Sequence, residues 1–174
     1  RTDNVAGPLS PINVHYLVVE EGVYTEHSNG IKLEAVRYES TVTDHAGSWV
    51  GETRDYKNIY NNPVVLGQVV THNDDDFSVF WSAGGTVDES ASTETLRVGK
   101  TVLEDSVHSR ANETVGYIIA DTGEGLMPGG TAIEAGVSDI SIAGIDDAAP
   151  YQIGLANSET LSAAILTQAS MRDP

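Results

Sequence analysis

The feature that most constrains this chain is a strand-like stretch that occurs twice. Residues 14–22 read VHYLVVEEG, and residues 115–123 read VGYIIADTG. Self-similarity at a fixed spacing is the sequence signature of a tandem repeat. In the alignment of the two stretches, the matching pairs are Val14 with Val115, Tyr16 with Tyr117, Glu20 with Asp121 and Gly22 with Gly123.

The alignment continues downstream at an offset that is one residue shorter. Its further pairs are Gly30 with Gly130, Glu34 with Glu134, Ala35 with Ala135, Leu66 with Leu166 and Gln68 with Gln168. These blocks occur in the same order in both halves, so they predict about 1.7 tandem copies of a module of about 100 residues. We assign 1–35 to the end of a preceding copy, 36–123 to a complete module and 124–174 to a partial following copy.

Short apolar runs rich in β-branched and aromatic residues alternate with Gly, Asn, Asp, Pro and Ser. This sequence pattern predicts an all-β fold, specifically an antiparallel β-sandwich. In FSVFW, the period of two places Phe77, Val79 and Trp81 on the core face and Phe80 on the opposite face. The predicted strands are 14–20, 31–42, 63–71, 77–81, 95–103, 114–120 and 139–145.

The stretch NSETLSAAILTQASM is ambiguous by itself, because its cap residues and alanines also fit a helix. Its repeat partner, YNNPVVLGQVVTH, contains Pro63 and several valines, which disfavour a helix. The repeat therefore predicts a strand at 162–170.

Charge and cysteine content exclude several partners. The formal net charge is −17, and no Lys or Arg occurs between Ala111 and Met171. Such a field repels nucleic acid and anionic membranes. The chain has no cysteine and therefore no disulfide or thiolate metal site, and no apolar run is long enough to insert into a membrane. The first residues, RTDNVAGPLSP, do not read as a signal peptide, and we expect a processed end or an excerpt of a longer chain.

From about Trp49 to Gly123 the chain resembles the H-type lectin-like repeats of large bacterial secreted and surface proteins. The resemblance is carried by PVVLGQVVT, FSVFW, LRVGK, the acidic loop LEDSVHSRANE and the closing TVGYIIADTG. It implies an antiparallel β-sandwich and an extracellular or bacterial cell-surface location. H-type lectins bind N-acetylgalactosamine-like sugars at subunit interfaces, so the resemblance also implies a glycan partner.

The densest polar cluster is HNDDDFS. Its carboxylates, Asp74, Asp75 and Asp76, are candidate calcium ligands, because calcium prefers oxygen donors. His72 and Asn73 are candidates for hydrogen bonds to sugar hydroxyl groups. The alternative is a hairpin turn that is polar because it is solvated.

Aromatic and basic residues complete the predicted carbohydrate site. Trp49 and Tyr60 lie in a polar stretch, where aromatic rings can stack on sugars; alternatively, they close one end of the sandwich. Arg97 and Arg110 are candidate polar contacts, with surface ion pairs as the alternative.

The sequence contains no G-x-S-x-G, H-E-x-x-H or P-loop motif, and we predict a protein that is not an enzyme. The predicted function is carbohydrate or cell-surface recognition. The alternative is a structural subunit of an extracellular filament or surface layer, a homo-oligomer or polymer assembled by strand addition. In that case 12–22 and 163–170 interlock. A third hypothesis is an accessory module of a polysaccharide-degrading enzyme.

Overall fold

The computed structural model describes residues 13–127, 130–138, 153–156 and 164–165. These residues form an almost entirely β structure with one single-turn helix. The elements are β1 (Gly22–Tyr24), α1 (Glu26–Asn29), β2 (Leu33–Ser40), β3 (Thr43–Asp44), β4 (Glu52–Arg54), β5 (Pro63–Val69), β6 (Val79–Ala83), β7 (Leu96–Thr101), β8 (Glu113–Asp121), β9 (Gly123–Leu126) and β10 (Ala132–Ala135).

The first sheet is antiparallel and has the order β1-β2-β8-β5. Its central strand, β8, pairs with β2 along one edge and with β5 along the other. In the second sheet, β7 pairs antiparallel with β6 on one edge and with β4 on the other, where β3 adds a short parallel pairing. The predicted all-β, antiparallel fold is therefore confirmed.

Both sheets contribute to one hydrophobic core, which gives the fold its sandwich-like character. The first sheet supplies Val65, Val115, Tyr117 and Ile119, and the second supplies Phe80, Leu96 and Val98. The rings of Phe80 and Tyr117 stack across the core, with centroids 6.5 Å apart. Burial of these large apolar side chains is the main stabilising contribution.

The expected arrangement of FSVFW is wrong in two respects. Phe77 precedes β6 and is exposed, while Phe80 lies in the core. Trp81 is buried as predicted, but its indole packs beside Gly99 and donates to the Asp44 carboxylate, at 3.0 Å. Both faces of β6 are covered, so alternation along the strand does not identify the core face.

The expected strand at 14–20 is also wrong. These residues belong to no strand, and Val14, Tyr16 and Val18 are exposed. Most of the predicted strand at 162–170 and all of 139–145 lie outside the described residues. Ala164 and Ile165, which are described, are not in a strand.

The structure contains the same hairpin twice. Strand β1 pairs with β2, and β9 pairs with β10, in registers that the sequence repeat relates to each other. The first hairpin pairs Gly22 with Ala35, Val23 with Glu34 and Tyr24 with Leu33; the second pairs Gly123 with Ala135, Glu124 with Glu134 and Gly125 with Ile133.

The turns of the two hairpins share a backbone feature. Gly30 has a φ of 76° and Gly130 a φ of 86°, a left-handed conformation that glycine adopts without strain. In the first hairpin this residue ends α1, whose N-cap is Thr25. The repeat is therefore visible in the structure at hairpin level, whereas the number of copies and the domain boundaries stay predictions.

No helix in the described ranges is long and apolar enough to cross a membrane.

Candidate functional site

The predicted polar cluster is a junction between two loops. The buried carboxylate of Glu113 accepts hydrogen bonds from the backbone of Asn73, at 2.7 Å, and of Asp74, at 3.2 Å. The Asn73 side chain donates to the carbonyl of Asn112, at 2.8 Å. One Asp74 oxygen accepts from the backbone of Ala111, at 2.8 Å. These contacts tie the loop before β6 to the loop before β8.

Asp74 is committed to this loop structure. Its second oxygen accepts from the backbone of Asp76, and the two backbone hydrogen bonds, led by that from Ala111, lower the pKa of Asp74. His72, Asp75 and Asp76 are exposed. Within the described ranges no group of three or more His, Asp or Glu residues is arranged to hold a metal ion. The calcium site stays a prediction without a visible ligand set.

Arg110 stabilises the loop to which it belongs. Its guanidinium donates to the carbonyl oxygens of Val107 and Ser109 and pairs with Asp105, at 2.9 Å. The backbone hydrogen bond from Val107, followed by the charge of Arg110, lowers the pKa of Asp105. The Arg110 side chain is almost fully buried, so it presents little surface to a ligand.

Trp49 and Arg97 lie together, beside the buried Trp81. The Trp49 ring meets Trp81 edge to face, with centroids 5.4 Å apart. Arg97 donates to the carbonyls of Gly84, at 3.2 Å, and Trp49, at 3.4 Å, and lies 5.9 Å from the Trp81 ring. Both residues are partly buried and cover Trp81. Trp49 therefore has a packing role, which is the alternative to its predicted stacking on a sugar.

Tyr60 lies in the core. Its ring packs against Tyr56, and its hydroxyl donates to the carbonyl of Ile119, at 3.4 Å. Burial raises the pKa of Tyr60 above its usual range. A side chain that is 2% exposed offers no ring face for a sugar. The six predicted carbohydrate contacts are thus distributed over three separate places in the fold.

Sequence reasoning missed the contact that anchors the repeated hairpin. Glu34, on β2, is buried and accepts from the backbone of Lys57, at 2.8 Å, and Asn58, at 2.6 Å. Its repeat equivalent, Glu134 on β10, accepts from the backbone of Ala156, at 3.1 and 3.0 Å. Each hairpin therefore binds a loop that lies 22 to 24 residues downstream, and it does so through an equivalent glutamate carboxylate. The alignment of Glu34 with Glu134 was the available signal.

Asp121, the last residue of β8, binds the loop before β5. It accepts from the backbone of Asn61, at 2.8 Å, and Asn62, at 2.9 Å, and forms an ion pair with Lys32. Partial burial opposes ionisation, but the hydrogen bonds from Lys32, Asn62 and Asn61 prevail and lower the pKa of Asp121. Its repeat equivalent, Glu20, is exposed.

The largest difference between equivalent positions lies along β8 and segment 14–20. Val115, Tyr117 and Ile119 point into the core and are 0%, 5% and 0% exposed. Their equivalents, Val14, Tyr16 and Val18, are 72%, 79% and 82% exposed. Singly exposed apolar side chains are normal, but three that alternate along one segment form an exposed apolar stripe with the spacing of a strand face.

Comparisons with protein-family models, with curated proteins and with solved structures find no match to this chain.

Proposed function

We propose that this chain is a non-enzymatic structural repeat module of an extracellular or bacterial cell-surface assembly. In this proposal, neighbouring units complete one another's sheets, and the assembly itself is the function. A strand that adds to an exposed sheet edge gains backbone hydrogen bonds, and its alternate side chains provide specificity.

One observation carries the proposal. Two similar apolar sequences differ in burial: 115–121 lies between β2 and β5, whereas Val14, Tyr16 and Val18 in 14–20 are exposed. An apolar strand face of this kind is a hazard for aggregation unless a specific partner covers it. The repeated hairpin β9–β10 provides a partner of the matching type.

Carbohydrate recognition has weaker support from the geometry. Tyr60 is buried, and Trp49 and Arg97 cover Trp81. Asp74 binds the loop before β8, and Arg110 binds the backbone of its own loop. A lectin site needs convergent side chains that remain accessible. We therefore rank it below the structural function.

The mass of the purified chain as a function of concentration tests the proposed function. Size-exclusion chromatography with light scattering should show a rise from the 18.5 kDa monomer to higher multiples at micromolar concentration. Negative-stain microscopy should then show linear or ring-shaped particles. A protein that stays monomeric at every concentration would contradict the proposal.

Affinity electrophoresis against neutral and sulfated polysaccharides, with calcium and with EDTA, separates the two functions. We expect no specific retardation of the chain. Retardation by one glycan that is lost in Trp49→Ala, while Tyr16→Ala retains it, would instead favour the lectin function.

A further inference from the structure

We infer that residues 14–20 of one copy of the chain add as a strand to β10 of a second copy, along the edge that faces away from β9. The inference rests on the proposed function and deepens it, because it names the segment, the receiving strand and the register. The occupant that we infer for this edge is another molecule of the same chain.

The donor segment has the side-chain pattern of a central strand. In β8, the residues at 115, 117 and 119 face the core, while Gly116 and Ile118 face the other way. The repeat alignment places Val14, Tyr16 and Val18 on the core-facing positions, and these three are strongly exposed. Because successive side chains alternate, pairing of 14–20 would place all three on one face of the extended sheet.

The receiving strand, β10, is the repeat equivalent of β2, but within the described residues it has a neighbouring strand on one edge only. In the first sheet, β2 holds β1 on one edge and β8 on the other. Strand β10 holds β9 on the edge that corresponds to β1, and β9–β10 is a two-stranded sheet within the described residues. The position that β8 occupies beside β2 has no strand beside β10 in the same residues.

A further apolar residue is exposed where its repeat equivalent is covered. Val65, on β5, pairs with Ile119 and is 3% exposed. Its repeat equivalent, Ile165, is 39% exposed. Ile165 is thus an exposed apolar side chain whose equivalent in the first unit is covered.

The pairing of β8 with β2 predicts the register across copies. Leu33, Glu34, Ala35 and Val36 pair with Ala120, Ile119, Ile118 and Tyr117. The equivalent pairs between two molecules are Ile133 with Val19, Glu134 with Val18, Ala135 with Leu17, and Gly136 with Tyr16. A register one residue away would turn Val14, Tyr16 and Val18 to the opposite face, so the apolar pattern specifies it.

Two observations support donation of 14–20 by a second molecule. One molecule already contains both segments, and they do not pair with each other in the structure. Strand β8 cannot serve as the donor, because β2 and β5 of its own molecule occupy both of its edges. A donor at one place and an acceptor at another produce a head-to-tail contact, which builds rings or open filaments.

Disulfide trapping tests the register directly, since the chain contains no native cysteine. Leu17→Cys in a tagged full-length chain is mixed with Ala135→Cys in an untagged one and oxidised. Both side chains lie on the outward face in the inferred pairing, so neither substitution disturbs the apolar contact. We expect a mixed dimer, which the difference in size distinguishes from dimers of either variant alone.

The matched control pairs Leu17→Cys with Ile133→Cys, which lies two residues out of register. The Cα separation then exceeds the reach of a disulfide, so its yield should be lower by at least about five-fold. Equal yields from the two pairs, or no mixed dimer from either, would overturn the inference.

A second pair of variants separates this inference from the proposed function. Val18→Asp places a charge on the core-facing side of 14–20, and His15→Asp places one on the outward side. Both residues are exposed in the monomer, so its fold should be unaffected. Val18→Asp should reduce the assembly to monomer, whereas His15→Asp should retain multimers.

The outcomes distinguish the two ideas. If multimers persist in Val18→Asp and the cross-link is absent, the strand addition is wrong while the proposed function stands. If the cross-link forms in register but no particle larger than a dimer appears, the strand addition stands and the assembly function is wrong.

Discussion

Strand β8 and segment 14–20 have closely similar sequences but different structures. Strand β8 forms hydrogen bonds along both edges and buries Val115, Tyr117 and Ile119. Segment 14–20 has the same apolar pattern, but no strand in the described part of the chain pairs with it. The difference shows that an apolar alternation does not by itself produce a strand. The strand forms only where neighbouring strands supply the backbone hydrogen bonds and the covering surface.

The largest expected effect compares the two tyrosines. Tyr117→Ala removes a ring that stacks on Phe80 in the core, so the free energy of unfolding should fall by about 3–5 kcal/mol. Tyr16→Ala should change it by less than about 0.5 kcal/mol, because that ring is exposed in the monomer. Chemical denaturation of both variants at low protein concentration checks this. Equal losses would show that 14–20 already packs within its own molecule.

The next comparison concerns the hairpin glutamates. Glu34→Ala leaves the backbone N–H groups of Lys57 and Asn58 without their acceptor, at a cost of about 3 kcal/mol. Glu134→Ala removes the acceptor of Ala156 from an exposed position, so it should cost less than about 0.5 kcal/mol. Thermal unfolding of the two variants measures the difference. A larger loss from Glu134→Ala would mean that the second hairpin is the more tightly held of the two.

Asp121, at the end of β8, and Glu20, its equivalent at the end of segment 14–20, also differ in their contacts. Asp121→Asn weakens the ion pair with Lys32 and two backbone hydrogen bonds, and we expect a loss of about 2 kcal/mol at neutral pH. Glu20→Gln should be close to neutral, since that residue is exposed. Urea denaturation of both variants gives the comparison.

The sign of the pH dependence follows from the lowered pKa of Asp121. A carboxylate with a lowered pKa stabilises the folded state above its unfolded pKa, and this stabilisation disappears as the pH falls through the folded value. The difference in unfolding free energy between wild type and Asp121→Asn should therefore shrink below about pH 4. A difference that stays constant down to acid unfolding would show that the charge is not what stabilises this contact.

The smallest effect concerns the two turn glycines. Alanine at position 30 must adopt a positive φ, which costs about 1 kcal/mol, and no atom within 4 Å of the added Cβ complicates the comparison. Alanine at position 130 meets the same backbone conformation, but β9–β10 does not belong to the main core, so the unfolding midpoint should not move. If Gly130→Ala lowers the unfolding midpoint as much as Gly30→Ala does, the second hairpin unfolds cooperatively with the main core.

Much of the fold could be predicted from the sequence, because the long strands have a strong local pattern. Strands β2, β5, β7 and β8 lie where runs of β-branched residues end in turn residues. The short strands, which are β1, β3, β4, β9 and β10, contain two to four residues and have no pattern that a period of two can reveal. Strands β1, β3 and β4 pair with long strands, whereas β9 and β10 pair with each other.

The candidate site was harder to predict than the fold. Polar residues in loops were the visible candidates. In the structure, Asp74, Arg97 and Arg110 form hydrogen bonds with backbone groups of the protein itself. Glu34 lies inside an apolar strand, where a carboxylate looks misplaced until the loop that it binds is known. Whether a polar residue has a structural or a functional role therefore depends on the environment of its side chain and not on its residue type.

The exposure of 14–20 could not be predicted either, because the repeat suggested a strand at both places. What the sequence did contain was the equivalence of Tyr16 with Tyr117 and of Glu134 with Glu34. Only the structure shows that one member of each pair is buried and the other exposed. That contrast identifies the donor segment and the receiving hairpin.

Hydrogen exchange of 14–20 and 115–121, measured by mass spectrometry across a dilution series, tests the central claim most directly. Amides in 115–121 should stay protected at every concentration, since both edges of β8 are paired within the molecule. Amides in 14–20 should exchange freely in dilute protein and become protected as multimers form. Protection of 14–20 in the dilute monomer, or its continued exchange in the multimer, would contradict the account.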